Sequence, residues 1–500
     1  MDTGTFFHEI NRYENIVVYG AGMVGSLVYK TLLHHGYDSD KIHFAISMTP
    51  GTDLYYGHIV EDIASVCSSL DDYIIVVSVL PKNQAQLVRC LDELHIEKRI
   101  IIDEKLFSEM EQTYVEAFNQ EHEPIKKSYD ILFMSSDSNI SSGAVLCLVD
   151  INAELNRRGL STLVILPEYG RAEELLTEKH LDFIYVLSDS WLVNSEDGID
   201  KFSSHRNCMA VKRVKSLINK YRIRYVHNNS MFSFIGCVAA RELDVPYIWH
   251  IREFIKEQGF WFSDEKYAFE LINNSKYIIT ISDYVGKCYP QLDKKKVRRI
   301  YDGVDVDRFF KKHDLFTKRT LTLLMPGNIV PLKGQEQLVM AAALLAKKKV
   351  DFKIIFIGSG DANYIEKLIR LVRVSHLEEK ITFRDRSRDI EKFYADADIV
   401  VVCSKSEAFG RVTVEAQLSG CIVIGADCGA TSELIDNQVN GYLYPFNDVA
   451  KLADLIACVN NDKRRSSSVA LHGQKDAIVK YSKNRNADAI CKLYRGAIDG

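Results

Sequence analysis

Three stretches of the chain share one pattern of hydrophobic and polar positions. Each has a continuous apolar run, a loop of small residues, and a segment whose apolar positions have helical spacing. They cover residues 16–36, 130–159 and 321–346. A strand that is apolar throughout is covered on both faces, so each stretch predicts the start of a βαβ unit in a parallel sheet. More apolar runs follow each opening, such as IHFAIS, STLVILP and DIVVVCS. The pattern therefore predicts an α/β protein with three parallel sheets.

Two polar segments, residues 119–129 and 307–320, separate these blocks. A chain of 500 residues is also too long for a single hydrophobic core. We therefore expect a first domain over residues 1–122, a second over 128–310, a third over 318–485, and a helix over 486–500 that packs back toward the second domain.

Composition excludes several classes of protein. A net charge of −5 gives no reason to expect nucleic-acid binding. The 11 cysteines include no C-x-x-C pair, which argues against a zinc ribbon or a redox motif. The N-terminus is polar and acidic, unlike a signal peptide, and no apolar run reaches the roughly 18 residues of a membrane span. We expect a cytoplasmic protein.

The stretch VVCSKSEAFGRVTVEAQLSG carries the most informative chemistry. Glu407, Phe409 and Gly410 lie in the loop after a predicted strand, and Arg411 and Glu415 lie at the start of the next helix. Ligands of open α/β sheets bind at this edge of the sheet. Two carboxylates there can accept hydrogen bonds from sugar hydroxyls. The alternative is a solvated loop glutamate and a helix-start glutamate favoured by the helix dipole.

Two other loops are predicted at the same edge. Gly327 and Lys333 follow the opening strand of the third block, where a lysine beside a helix N-terminus suits a diphosphate. Gly358 follows the next strand and permits close approach of a ligand. An isolated surface lysine at a turn is the alternative for Lys333. The Asp-x-Asp pair at 305–307 falls in a predicted interdomain segment, so we expect no metal ion.

Together these motifs resemble the retaining glycosyltransferases of family four. The resemblance covers about residues 130–495 and is strongest in SEAFGRVTVEAQLSGCIVIGADCGATSELIDNQVNGYLY. KGQEQLVMAA and IYDGVDVDRFF add to it. It implies the GT-B architecture, in which the second and third Rossmann-like domains form a pair with an interdomain cleft. It also implies a bacterial enzyme of surface-polysaccharide synthesis.

The resemblance assigns roles residue by residue. Lys333 would contact the donor diphosphate, and Glu415 the ribose. Glu407 would face the transferred sugar. The remaining residues that the resemblance places in the site are His250 near the reacting sugar, and Gly143, Gly327, Asn328, Gly358, Phe409, Gly410 and Arg411 around the donor. A core or strand-end histidine is the alternative for His250.

The sequence departs from the family pattern at two informative positions. Asn328 stands where the family often has arginine, which removes a cation from the predicted phosphate site. Arg411 and Arg252 are the candidates to replace that cation. Asp302 stands where the interdomain turn usually has asparagine.

The resemblance implies a metal-independent hexosyltransferase that takes a nucleotide-diphosphate sugar, UDP-linked, as donor. Its acceptor would be a glycan or lipid-linked saccharide, and no cofactor would be required. The alternatives are a nucleotide-sugar epimerase or phosphorylase on the same architecture, and a nucleotide-sugar sensor or scaffold with a degenerate site.

The first block contains GAGMVG, with Gly20, Gly22 and Gly25, between a strand and a helix. This is the setting of a dinucleotide-binding loop. The acidic residue expected after the next strand is missing, because that strand is followed by Ser47. The alternatives are therefore a nicotinamide cofactor, which would indicate an oxidoreductase, another nucleotide-type ligand, or an accessory domain without a ligand.

Residues 206–224 form a basic segment with helical spacing of its apolar positions. The first interpretation is a helix that covers a sheet. The second is peripheral contact with anionic lipid at the inner face of the membrane. Residues 254–267 contain three consecutive aromatics, which predict either a buried loop or a lid that faces the acceptor.

Overall fold

The computed structural model describes residues 1–47, 54–79, 81–140, 142–194, 198–311, 315–387 and 389–498. Residues 312–314 of the second polar segment and residues 499–500 of the predicted C-terminal helix lie outside these ranges.

The first sheet has six strands in the order β3-β4-β2-β1-β5-β6, and every pair is parallel except β3 with β4. Its strands are β1 (Asn15–Tyr19), β2 (Ile42–Ile46), β3 (Leu54–Tyr55), β4 (His58–Asp62), β5 (Tyr73–Val77) and β6 (Arg99–Ile101). Its helices are α1 (Thr3–Ile10), α2 (Met23–His34), α3 (Ile63–Ser69), α4 (Pro81–Glu93) and α5 (Glu104–Glu121).

The second sheet has seven parallel strands in the order β15-β14-β12-β11-β7-β8-β9, and a two-stranded antiparallel ribbon pairs β10 with β13. The strands are β7 (Ile131–Met134), β8 (Thr162–Leu166), β9 (Phe183–Tyr185), β10 (Leu192–Asn194), β11 (Tyr225–Asn228), β12 (Tyr247–Ile251), β13 (Phe260–Phe262), β14 (Tyr277–Thr280) and β15 (Val297–Arg299). The helices are α6 (Gly143–Arg157), α7 (Ala172–Glu178), α8 (His205–Lys220), α9 (Ile235–Glu242), α10 (Glu265–Asn273), α11 (Asp283–Cys288) and α12 (Val306–Phe309).

The third sheet has six parallel strands in the order β18-β17-β16-β19-β20-β21. They are β16 (Leu321–Pro326), β17 (Phe352–Ile357), β18 (Ile381–Arg384), β19 (Ile399–Val402), β20 (Ile422–Ala426) and β21 (Tyr442–Tyr444). The helices are α13 (Gln335–Lys347), α14 (Ala362–Val374), α15 (Ile390–Asp396), α16 (Arg411–Leu418), α17 (Thr431–Leu434), α18 (Val449–Asn461), α19 (Lys463–Lys480) and α20 (Lys483–Ile498).

The apolar runs of the sequence become the central strands of these sheets. β7, β8 and β19 are buried at every position, as expected for parallel strands with helices on both faces. The prediction of an α/β protein with three Rossmann-like parallel sheets is confirmed.

The second and third sheets share one continuous core. Phe409 and Tyr481 from the third block pack in the same apolar cluster as Trp249 and Ile278 from the second. The last helix, α20, leaves the third block and packs on α6 of the second. The order of elements therefore brings the carboxyl edge of the third sheet against the second block.

A buried polar cluster joins the first block to the second. The Nζ of Lys30, on α2, lies 2.6 Å from Oε1 of Glu173 on α7. The hydroxyls of Tyr114 and Tyr185 donate to the same carboxylate, at 3.0 Å and 2.7 Å. The helix that follows the glycine-rich loop is thus tied directly to the second block.

The basic segment 206–224 and the aromatic segment 254–267 are largely packed within the second block. The face of α8 that carries Ala210, Val214, Leu217 and Ile218 is buried, so this helix covers the sheet as the first interpretation predicted. The three aromatics form β13, in which Phe262 is buried and Trp261 is 41% exposed. Within the described ranges, no helix combines the length and apolarity needed to cross a bilayer.

Candidate active site

Lys333 and Glu407 form an ion pair at the carboxyl edge of the third sheet. Lys333 ends a short 3₁₀ turn after β16, and Glu407 lies in the loop after the neighbouring strand β19. The Nζ of Lys333 is 2.6 Å from Oε1 of Glu407, which also accepts a 2.5 Å hydrogen bond from the Ser404 hydroxyl. The side chains are 33% and 14% exposed, so the pair lies near the surface and remains reachable.

The loop after Glu407 supplies backbone donors beside this pair. Within the described residues, the amide N–H groups of Ala408, Phe409 and Gly410 have no hydrogen-bond acceptor. Gly410 adopts φ 94°, a left-handed conformation that favours glycine, and begins α16 without a side-chain cap. The Phe409 side chain is buried, and its ring centroid lies 5.9 Å from that of Tyr301. Only the backbone of Phe409 is therefore available to contact a ligand.

Three helices of eight or more residues begin around this edge without a capping side chain. They are α16, α13 after Gly334, and α6 after Ser142. By contrast, α14 begins with a cap from Asp361. The free N–H groups and the dipole of an uncapped helix start attract anions. The arrangement suits a phosphate or diphosphate group.

Arg411 connects the third block to the second. Its Nη1 donates to the Gly303 carbonyl at 3.2 Å and to the Cys147 sulfur at 3.0 Å. The space where a Gly143 side chain would begin is 3.7 Å from Cδ of Arg411, so this glycine faces the arginine across the domain boundary. Arg411 is therefore engaged with the second block rather than with Asn328.

Glu415 is held on α16 by two neighbours. Its Oε2 accepts a 2.9 Å hydrogen bond from the Tyr394 hydroxyl, and its Oε1 lies 3.5 Å from Nε of Arg411. The carboxylate is 13% exposed. Its orientation is fixed by these contacts, while its oxygens retain lone pairs that can accept further hydrogen bonds.

His250 lies near the end of β12 in a buried polar network. Its Nδ1 is 3.1 Å from Nε2 of His227 and 3.3 Å from Nη2 of Arg252. The Nδ1 of His227 is 2.6 Å from the Tyr494 hydroxyl on α20. Arg252 forms a buried ion pair with Asp302. Arg252 is therefore neutralised by Asp302, which argues against it as the missing phosphate cation.

Burial lowers the pKa of both histidines, and the Arg252 charge lowers it further. The pKa of His227 falls to about 3, and that of His250 falls well below its ordinary value. Both rings are therefore neutral in the folded chain at pH 7, and each acts as one donor and one acceptor.

This depressed pKa predicts a pH dependence of stability. Between the ordinary histidine pKa of about 6.5 and the folded value, the unfolded chain binds a proton at His227 that the folded chain does not. The stability that comes from a neutral, buried His227 is therefore present above pH ~6.5. As the pH falls below that value, the free energy of unfolding decreases by about 1.4 kcal/mol per pH unit. Chemical unfolding gives the free energy of unfolding at pH 6.5 and at pH 4.5. Between these two pH values, that free energy should fall by about 2–3 kcal/mol less in His227→Gln than in the original chain. Equal losses would contradict a neutral His227.

A cation that the sequence interpretation missed lies beside the loop with Asn328 and comes from a different loop. Nη2 of Arg386, in the loop after β18, lies 3.4 Å from Oδ1 of Asn328. Gly327 has φ 124° and open space where a side chain would start, whereas a side chain at Gly358 would meet the Gly327 carbonyl at 2.0 Å. The absence of a side chain at Gly358 therefore allows its loop to contact the loop of Gly327. The absence of a side chain at Gly327 leaves open space beside the backbone.

The three glycines of the first block lie on a different sheet, away from this edge. A side chain at Gly25 would meet the Gly20 carbonyl at 2.0 Å, so Gly25 permits close packing of α2 on the strand end. The space at Gly22 is open, and the Tyr55 hydroxyl donates to the Gly22 carbonyl at 2.6 Å.

The predicted residues of the third sheet lie on loops at its carboxyl edge, and Gly143 faces Arg411 there. His250 lies in a separate polar network with Arg252. His227, Tyr494 and Arg386 were missed. The polar run HNNS at the end of the β11 segment is a signal for His227. Tyr494 gives no local signal, because its contact with His227 spans 267 residues. In the described part of the chain, no group of three acidic, histidine or cysteine side chains is arranged to hold a metal ion.

Two sequence families match adjoining parts of the chain. Residues 141–308 match the family described as Glycosyltransferase Family 4, and residues 305–476 match Glycosyl transferases group 1. A D-inositol 3-phosphate glycosyltransferase of Saccharomonospora viridis is 28% identical over 218 residues, which cover 40% of this chain and half of that protein. Spore coat protein SA of Bacillus subtilis is 22% identical over 358 residues, or 64% of this chain and 91% of that protein.

The fold is similar to that of solved GT-B structures. The Anabaena protein HepE, in complex with UDP and glucose, superimposes with a TM-score of 0.63 at 23% identity. The match covers 73% of this chain and 99% of HepE. TarM gives a TM-score of 0.59 at 14% identity, over 73% of this chain and 98% of TarM. At these identities the likeness establishes the fold.

The fold and the family matches define an enzyme of the glycosyltransferase type with the GT-B architecture. Within that class, residues 141–308 are similar to the family 4 glycosyltransferases and residues 305–476 to the group 1 glycosyltransferases.

Proposed function

We propose that this enzyme transfers a hexose from a UDP-linked sugar to a glycan or lipid-linked saccharide, with retention of configuration and without a metal ion. The setting would be surface-polysaccharide synthesis in the cytoplasm, at or near the inner face of the membrane. Residues 128–310 would bind the acceptor and residues 318–485 the donor. The observation that carries the proposal is the Lys333–Glu407 pair beside uncapped helix starts.

The donor fits the charges of this edge. Lys333 and the free N–H groups of residues 408–410 would bind the diphosphate. Glu407 would accept hydrogen bonds from the transferred sugar, and Glu415 from the ribose hydroxyls. The UDP bound to the similarly folded HepE supports a uridine nucleotide as donor.

In the proposed transfer, the acceptor oxygen replaces the diphosphate at the anomeric carbon. The bond between the anomeric carbon and the diphosphate oxygen breaks, and the acceptor oxygen bonds to the same carbon on the same face. The acceptor proton passes to the departing phosphate oxygen. Negative charge grows on that phosphate, and preorganised donors aimed at it provide most of the rate enhancement. Lys333 and the start of α13 would serve as those donors.

A panel of nucleotide sugars tests the proposal. UDP-, GDP- and ADP-linked hexoses are first ranked by thermal stabilisation of the full chain. The best of them is then incubated with saccharide acceptors, with and without EDTA. Acceptor-dependent release of nucleoside diphosphate, unchanged by EDTA and with an anomerically retained product, is the expected result. Stabilisation without any nucleotide release would instead indicate a sensor, and isomerised donor would indicate an epimerase.

We further propose that Arg386 replaces the cation absent at Asn328. Its guanidinium would reach the donor phosphate from the far side of β16, opposite Lys333. Arg386→Gln should raise the donor KM about tenfold, the equivalent of one charge-assisted hydrogen bond, with a smaller change in kcat. Arg384→Gln, two residues earlier at the exposed end of β18, is the matched control and should leave KM unchanged. If Arg386→Gln has the same donor KM as Arg384→Gln, Arg386 does not contact the donor.

A further inference from the structure

A tyrosine of the second block lies in the core of the first block. Tyr169 belongs to the loop between β8 and α7, yet its ring packs in the apolar cluster of the first domain and is 1% exposed. Its hydroxyl is 2.6 Å from Oγ of Ser26, which follows the glycine-rich loop on α2. Its backbone N–H donates to Oε1 of Glu111 on α5 at 3.0 Å. The first domain therefore holds this residue by its backbone, its ring and its hydroxyl.

The residues on either side of Tyr169 fix a second loop, residues 135–140 after β7. The hydroxyl of Ser138 donates to the Glu168 carbonyl at 2.7 Å, and the first N–H of α7 donates to the Ser138 carbonyl at 2.9 Å. A side chain at Gly170 would begin 2.5 Å from that carbonyl oxygen, so the two loops are in direct backbone contact there. Because packed interiors leave little free volume, a shift of Tyr169 would displace Ser138.

The loop after β7 leads to the start of α6 at the cleft. The N–H of Ser142, the residue before α6, donates to the Asn139 carbonyl at 2.9 Å. Gly143 then begins the helix, which has no side-chain cap, and faces Arg411 of the third domain. A run of hydrogen bonds and adjacent residues thus connects the core of the first domain with a helix start that suits a phosphate or diphosphate group.

We propose that Tyr169 is a positioning residue through which the first domain holds the start of α6 at the donor diphosphate. The inference rests on the proposed function, because it needs a diphosphate between the second and third domains. Free N–H groups at a helix start stabilise a developing negative charge most strongly when they are aimed at it before the reaction. That aim depends on the residues behind the site, and a displacement of about 1 Å there lowers the rate. The first domain acts as a part of the transferase, rather than as a separate ligand-binding unit.

Hydrogen exchange of the full chain, measured by mass spectrometry without any ligand, tests the contact itself. Tyr169→Phe keeps the ring but removes the hydroxyl, and the amides of residues 135–147 should exchange about fivefold faster as a result. Gly170→Ala brings a methyl group against the Ser138 carbonyl and should increase exchange in the same segment at least as much.

Tyr114→Phe is the matched control. It removes another hydroxyl that bonds across the same domain boundary, to Glu173, and that carboxylate keeps Lys30 and Tyr185 as partners. Urea unfolding should show similar losses of stability for Tyr114→Phe and Tyr169→Phe, because each loses one hydrogen bond. Exchange at the start of α6 should nevertheless stay at the level of the original chain in Tyr114→Phe. Equal exchange in the two variants overturns the positioning role.

Kinetics separate this inference from the proposed function. Tyr169→Phe and Ser26→Ala remove the two ends of one hydrogen bond, so each should lower kcat about fivefold and the double variant no further. The donor KM should stay within about twofold, because Lys333 and residues 408–410 would still bind the donor. Unchanged kcat in Tyr169→Phe, alongside an inactive Lys333→Ala, overturns the positioning role and leaves the transferase assignment intact. An original chain that transfers no sugar refutes the proposed function, and with it the role at the diphosphate, even if the exchange responds as expected.

Discussion

Lys333→Ala is expected to lower kcat for sugar transfer by about 100- to 1000-fold, the usual effect of removing one preorganised donor from a developing oxyanion. The ammonium group is the only side-chain cation within 4.0 Å of Glu407 in the described chain, and it lies beside the uncapped start of α13. Without it, the charge that grows on the leaving phosphate faces the Glu407 carboxylate uncompensated. The measurement is nucleoside diphosphate release at saturating donor and acceptor.

Lys405→Ala provides the matched control. Lys405 is an exposed lysine two residues before Glu407, and its backbone N–H donates to the Leu332 carbonyl. Its removal changes the net charge by the same amount but should leave kcat within about twofold, because long-range surface charges are screened at ordinary ionic strength. Equal losses in both variants would show a general charge effect. An Lys333→Ala enzyme with near-normal turnover would refute the role given to this lysine.

Stability separates loss of chemistry from loss of fold. Lys333 is one-third exposed, and Glu407 keeps the Ser404 hydrogen bond when the lysine is removed. Exposed ion pairs contribute about 0–1 kcal/mol, so Lys333→Ala should unfold close to the original chain. A large loss of activity with little loss of stability is the combined result that supports the site.

The sequence predicted those features that depend on local pattern. Continuous apolar runs predicted the buried parallel strands, and their order placed Lys333 and Glu407 on loops at one edge. The 2.6 Å pair is consistent with that expectation. The roles of these residues stay predictions until they are measured.

Features that depend on contacts between distant residues were not predictable in this way. Arg411 and Cys147 are 264 residues apart, and the partner of Arg252 depends on how the interdomain turn folds back. Arg411 and Arg252 were both considered as replacements for the missing phosphate cation, but the structure engages both elsewhere. Arg386 reaches Asn328 because parallel strands β16, β17 and β18 are adjacent, and spacing in the sequence does not reveal side-chain direction.

Asp302→Ala is expected to reduce the free energy of unfolding by about 3–5 kcal/mol, the typical cost of breaking a buried ion pair from one side. The side chains of Arg252 and Asp302 are 3% and 7% exposed, so the guanidinium left behind cannot be solvated by water. Asp302→Asn should lose less, because the amide oxygen still accepts a hydrogen bond from Arg252. The measurement is urea unfolding, monitored with a spectroscopic probe that reports the unfolding of the second and third domains together.

Two further variants test whether the loss comes from the unpaired charge. Asp454→Ala breaks an ion pair with Lys348 whose side chains are 58% and 46% exposed, and should cost about 0–1 kcal/mol. Arg252→Met combined with Asp302→Ala removes both buried charges and should recover part of the stability lost in Asp302→Ala. A double variant less stable than the single one would show that Arg252 contributes mainly through Asn229 and His250. In that case the buried pair would serve the histidine network more than the stability of the domain boundary.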